Sequence, residues 1–175
     1  MAEELLLRHV RPQHGAAIDL LVVDGRVAAL GPGLKPASPA TTVIDGGNRL
    51  LFPGFVDAHA HMDKTLLGLG WYRNEVGPSL IDKIENERSL RRERDIDAHQ
   101  QSTRQARRSI AAGTTAIRTF VDIDTETRLS GFEGVMRTRA DFRDSLDIQV
   151  VAFPQSGMLI RPRARYTGKR PLYTE

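Results

Sequence analysis

Three apolar segments, residues 52–58, 114–123 and 148–153, are separated by stretches with helical patterning. Successive parallel strands need a crossover long enough to return to the same end of a sheet, and a helix is the usual crossover. Strands alternating with helices therefore predict βαβ units around a parallel sheet. Phe52 to Ala58 is continuously apolar enough for a strand buried on both faces. Helical sequence starts at about Ser79, where Leu80, Ile81 and Ile84 share a face. A second helix is expected from Asp95, a good N-cap, to Gly113, a good terminator. A third spans Leu129 to about Ser145, with Phe132, Val135, Met136 and Phe142 on or near one side.

The first fifty residues follow a different rule. Leu20 to Val23 and Arg26 to Leu30 flank Asp24-Gly25, two residues that tolerate positive φ, which predicts a tight hairpin. Thr42 to Ile44 and Asn48 to Leu51 read as short strands around Gly46-Gly47, so this region is expected to be small antiparallel β structure. Residues 31–39, rich in Gly, Pro and Ser, form a loop. Expected boundaries are therefore 1–51 for the β portion, 52–160 for the strand–helix portion, and 161–175 for a basic, disordered tail.

Composition narrows the class. The chain has 175 residues and no cysteine, which excludes disulfides and thiolate metal sites and leaves His, Asp and Glu as ligands. No apolar run approaches a membrane span and the acidic start lacks a secretory pattern, so a cytoplasmic protein without membrane contact is expected. The net charge of +3 is unevenly placed. Residues 161–175 hold five basic groups and one acidic, and the other 160 hold 20 basic and 21 acidic. A near-neutral body argues against nucleic acid as a partner.

The chemistry concentrates at Pro53-Gly54-Phe55-Val56-Asp57-Ala58-His59-Ala60-His61. Residues two apart on a strand point to the same face, so His59 and His61 can reach one metal ion together. A bare H-x-H is more often a solvated or backbone-bonded pair. Context favours ligands here, because the pair closes a strand that opens a βα series. His99, in a polar helix, reads as solvated, as do Arg104, Arg107 and Arg108; His9 and His14 receive no role.

Three strand ends together, His59-Ala60-His61-Met62-Asp63, Thr119-Phe120-Val121-Asp122 and Phe153-Pro154-Gln155-Ser156-Gly157, make residues from about 5 to 160 resemble the metal-dependent amidohydrolases. Within them the likeness is to cytosine deaminase and its relatives, including aminotriazine amidohydrolases. Dihydroorotase-like members carry Arg two residues after the second histidine, where this chain has Asp63. Phe120 stands where compared cytosine deaminases often have His. The resemblance implies an α/β fold: a partial (β/α)₈ TIM barrel, its first three βα units, preceded by part of a small β-sandwich.

By the same resemblance, His59 and His61 are metal ligands for a divalent zinc or iron ion, and Gln155 contacts the substrate ring. Asp57, Asp63 and Asp122 are expected behind the ligands, steadying them by hydrogen bonds, with backbone or helix capping as the plainer role for Asp57 and Asp122. The implied reaction is metal-assisted hydrolysis of C–N bonds in cyclic amidines or amides, on a small nitrogen heterocycle. No catalytic acid or base is identifiable, and the family's third histidine has no counterpart after His61 except His99 in the wrong element. A complete barrel takes about 250 residues. A truncated, inactive fragment is therefore expected, with incomplete metal coordination and a frameshifted or prematurely stopped end after about Pro162. The alternative is a non-catalytic subunit, or a basic-tailed interaction protein, that completes its barrel with a partner chain; a homo-oligomer is the other association expected.

Overall fold

The structure, a computed structural model, describes residues 3–13, 15–73, 76–125, 127–155 and 157. His14, Ser156 and the 161–175 tail lie outside them. The chain divides into two compact units, Met1–Pro53 and Gly54–Glu175.

In the first unit five strands form one sheet: β1 (Glu4–Pro12), β2 (Ile18–Val23), β3 (Arg26–Gly31), β4 (Thr42–Asp45) and β5 (Leu50–Leu51). The order is β3-β2-β1-β4, with β5 also on β1. Asp24 and Gly25 take φ values of 48° and 74°, the doubly positive pair that the β2–β3 hairpin requires. The expectation of an antiparallel unit needs correction. The loop after β3 carries the chain back across the sheet, so β4 and β5 run parallel to β1. Register on β1 breaks between Leu7 and Val10, where His9 adopts φ 51°. Buried Asp19 spans this irregularity, accepting the His9 and Leu34 amides at 3.1 and 3.0 Å. Leu6, Val10 and Leu20 are the buried apolar residues.

In the second unit β6 (Phe55–Ala60), β7 (Thr114–Asp122) and β8 (Asp147–Phe153) form a parallel sheet in that order. The helices are α1 (Leu80–Glu93), α2 (Ala98–Ala111) and α3 (Ser130–Asp141). The core joins Ala60, Met62, Ile117, Val121, Ile148 and Val150 to Ala106 of α2, Val135 of α3 and Leu146. Each large aliphatic side chain so buried stabilises by about 1.5–3 kcal/mol. At Gly134 a Cβ would lie 2.8 Å from the Ala98 Cβ and the His99 amide nitrogen, so glycine is what lets α3 approach α2 this closely. Thr138, fully buried, bonds Ser102 at 2.6 Å and His99 at 3.0 Å across the same contact.

Three expectations give way here. β6 is not buried on both faces: it is an edge strand, and Phe55 and Val56 are 59% and 69% exposed, because no described strand pairs on its outer side. α1 does start at Ser79 through a capping box with Asp82, yet its Leu80 and Ile81 face solvent, and its buried residues are Arg88 and Leu90. α2 begins two residues later than expected. Asp97 is extended and accepts the Gln100 amide, while Asp95 sits at φ 46° in the preceding turn. Gly113, at φ 88°, follows the end of α2 as expected, and α3 stops at Asp141 rather than near Ser145. No described helix is long and apolar enough to cross a membrane.

Candidate functional site

The C-terminal ends of β6, β7 and β8 converge on two layers of side chains, one aromatic and one charged. In the aromatic layer the rings of His59 and His61 lie 5.1 Å apart, nearly perpendicular. Their i and i+2 spacing at the end of β6 gives them one face. Phe120 of β7 lies 4.7 Å from His59 and 6.2 Å from His61, and Phe153 of β8 lies 6.1 Å from His61 and 6.0 Å from Phe120. Two imidazoles thus rest on two phenylalanines. Phe120 packs against both imidazoles.

His61 is half-buried and its Nδ1–H donates to the Phe120 carbonyl at 2.8 Å, since a carbonyl can only accept. In the neutral ring that leaves the Nε2 lone pair free. Burial pushes this imidazole below the usual histidine range, helped by the Lys64 ammonium, while the Phe120 bond pulls the other way. His59 is exposed, and among the described residues none hydrogen-bonds its ring. A neutral histidine with its other nitrogen anchored is the form that ligates metals. His61 meets that description, and His59 lies beside it on the same face, so the pair fits as part of a metal centre. They do not complete one. Among the described residues no group of three or more His, Cys, Asp or Glu is placed to hold an ion.

The charged layer lies beneath. Asp63 is fully buried; its Oδ2 accepts the Asp122 amide at 3.3 Å and lies 3.5 Å from Arg91 of α1. Burial raises its carboxyl to about 6, against the pull of Arg91. Asp122 ends β7, and its Oδ2 lies 3.0 Å from the Lys64 ammonium and 3.2 Å from Arg91. Oδ1 of each aspartate is buried without a partner among the described residues. Asp57 stays on its own strand, accepting the His59 amide at 3.2 Å. Gln155, after β8, joins Lys64 and Glu87. Buried Thr119 receives the Met62 amide at 3.0 Å, fixing the chain as it leaves the histidine pair.

The structure therefore brings His59 and His61 together at one mouth of the sheet and ties Asp63, Asp122 and Gln155 into one network just below. Asp57 takes a backbone-capping position, and Asp122 is engaged in ion pairs rather than capping a helix. His99 is partly exposed, as a surface helix residue would be, and its ring also bridges Thr138 and Asp141. Lys64, Glu87, Arg88 and Arg91 had no role from sequence. The available signal was Lys64 adjoining Asp63, with Arg88 and Arg91 one turn apart on α1 opposite two aspartates, Asp122 and Asp124.

Parallel βα units with an imidazole pair at a strand's C-terminal end place the candidate site where parallel α/β folds bind their ligands. Comparison with known proteins identifies the family. The chain is 35% identical over 129 residues to the N-isopropylammelide isopropyl amidohydrolase of Pseudomonas sp. (strain ADP), spanning 67% of the chain and 30% of that enzyme. The crystal structure of the N-isopropylammelide isopropylaminohydrolase of Burkholderia multivorans superposes with a TM-score of 0.87 at 44% identity, covering 94% of the chain and 41% of that protein. The 5-methylcytosine deaminase of Klebsiella pneumoniae, liganded with 5-fluorocytosine, gives 0.73 at 27% identity, covering 93% and 39%. No family model matches the chain. The chain belongs to the amidohydrolase superfamily, on its cytosine deaminase-like branch, and corresponds to the N-terminal part of those proteins. It spans less than half the length of each relative named.

Proposed function

We propose that the chain supplies the opening part of a metal-dependent (β/α)₈-barrel hydrolase that acts on C–N bonds of cyclic amidines or amides. One observation carries this reading. His59 and His61 share one face at the end of β6, and the Phe120 carbonyl holds His61 with Nε2 free. His59 and His61 would hold a divalent zinc or iron ion, whose chemistry there would be to supply hydroxide at neutral pH by lowering the pKa of water to roughly 7. The chain's own residues do the rest of what can be assigned. His59 and His61 hold the ion, and Phe120 and Phe153 exclude water from one side. Gln155 offers amide donor and acceptor to a nitrogen heterocycle. Asp63 and Asp122 brace the strand ends behind the histidines, and Asp57 fixes the backbone between them. No described residue is assigned as general acid or base. Two imidazoles leave a tetrahedral site half filled, so the described residues alone would bind metal weakly and lack turnover. We place the protein in the cytoplasm, since its proposed substrate is a small soluble metabolite-like ring. Metal analysis of the purified chain, paired with deamination assays on cytosine and aminotriazines, tests this. Tight stoichiometric metal with activity from the isolated chain would overturn it.

The open edge of β6 favours a second reading, in which another chain adds its strands there. Phe55 and Val56 on that edge are apolar and exposed, and unpaired edges invite pairing. Co-elution with a chain carrying the later strands and ligands separates this from a lone fragment. A symmetric homo-oligomer would elute without any such partner.

A further inference from the structure

Lys64 leaves β6 three residues after His61 and is 7% exposed. Its Nζ lies 2.6 Å from Glu87 Oε1, 2.6 Å from Gln155 Oε1 and 3.0 Å from Asp122 Oδ2. An ammonium carries three N–H donors and no acceptor. Two go to Gln155 and Asp122 as hydrogen bonds and the Glu87 carboxylate pairs with the charge, so three acceptors enclose this cation. It joins four pieces of chain: its own loop, α1, the end of β7 and the segment after β8.

Gln155 closes a ring with this pair. Its Oε1 accepts from Lys64, and its Nε2 points at Glu87 Oε1, 3.4 Å away, the same oxygen that Lys64 reaches. Chemistry fixes the sense of the amide. Turned over, the NH₂ would face an ammonium and the carbonyl would face a carboxylate, two repulsive contacts in place of two attractive ones. The carbonyl must therefore face Lys64.

We infer that Lys64 and Glu87 are positioning residues that lock the Gln155 amide in one orientation. A ring meeting Gln155 then finds its remaining N–H and lone pair in a fixed order. This pair thus sets which heterocycle edge the glutamine accepts, a consequence that rests on Gln155 being the ring contact proposed above. Without the ammonium, only the long 3.4 Å contact with Glu87 opposes turning the amide over.

The test uses the full chain labelled with nitrogen-15, with the Gln155 side-chain NH₂ signals identified by their loss in Gln155→Met. In the wild type the two protons should be well separated. In Lys64→Met they should collapse toward the positions of a free glutamine, and Lys64→Arg should restore much of the separation. Unchanged Gln155 signals in a folded Lys64→Met chain would overturn the inference. Should that variant fail to fold, Glu87→Gln serves instead, because Glu87 is partly exposed and removing its charge spares the core. It should move the same signals, and unmoved signals would again overturn the inference. Titration with cytosine adds a binding arm, in which Lys64→Met should weaken wild-type binding at least tenfold. A wild type that ignores cytosine while its Gln155 signals still follow Lys64 upholds the positioning and removes Gln155 from the proposed substrate site.

Discussion

Arg88 of α1 donates to Asp124, just past β7, at 2.7 Å, and both side chains are only 7% exposed. A buried ion pair is thus a principal tie between α1 and the sheet, since the helix turns Leu80 and Ile81 to solvent. Asp124 also accepts the Thr127 amide and hydroxyl at 2.8 and 3.1 Å, so the carboxylate is held from two sides. Glu87, Arg88 and Arg91 together fasten α1 over the strand ends by charge, with Leu90 as its buried apolar residue.

Arg88→Met should destabilise the second unit by about 3–5 kcal/mol, the usual cost of breaking a buried ion pair on one side. Urea unfolding measures this. Arg88→Met combined with Asp124→Asn should recover much of the loss, and an additive double variant would show that the two do not act as a pair.

The α2–α3 contact depends on one missing methyl group. Gly134→Ala places a Cβ against the Ala98 Cβ and the His99 amide nitrogen, neither of which can yield without moving a helix. The expected loss is about 1–3 kcal/mol despite alanine's better helix propensity. A thermal midpoint at or above the wild type would contradict the close approach.

Asp45 in the first unit accepts the Gly47 amide at 2.8 Å and contacts His9 at 3.1 Å; these bonds hold its carboxyl below the usual aspartate range. A depressed folded-state pKa stabilises at pH values above the unfolded one, and the gain is lost as pH falls through the folded one. Wild type should therefore exceed Asp45→Asn in thermal midpoint at about pH 6, and the gap should close below about pH 4. A gap that persists in acid would show that the carboxylate's charge is not the cause.

Strict local chemistry could be read from the sequence. Asp24-Gly25 announced its hairpin because few other residues accept two positive φ values in succession. Helical patterning placed the start of α1 at about Ser79, although it did not reveal the capping box with Asp82, and the Leu80–Ile81 face meets solvent. The three strands and the histidine pair followed from apolar runs and the parity of side chains on a strand. What escaped depends on contacts distant in sequence. Asp95 and Asp97 are equally good caps in isolation, and only the backbone course chooses Asp97. The exposure of Phe55 and Val56 depends on whether a strand pairs beside β6. Lys64, Arg88 and Arg91 look solvated by default, since charged residues usually are. Their burial follows from aspartates some 30 to 60 residues away in the chain.

The most direct measurement is long-range nitrogen–proton NMR of the histidine rings during zinc titration. The account predicts that His61 begins as the Nδ1–H tautomer, that the ring signals of His59 and His61 shift together, and that the His61 Nδ1 proton stays in place. Shifts confined to His9, His14 or His99, or none at millimolar zinc, would contradict it.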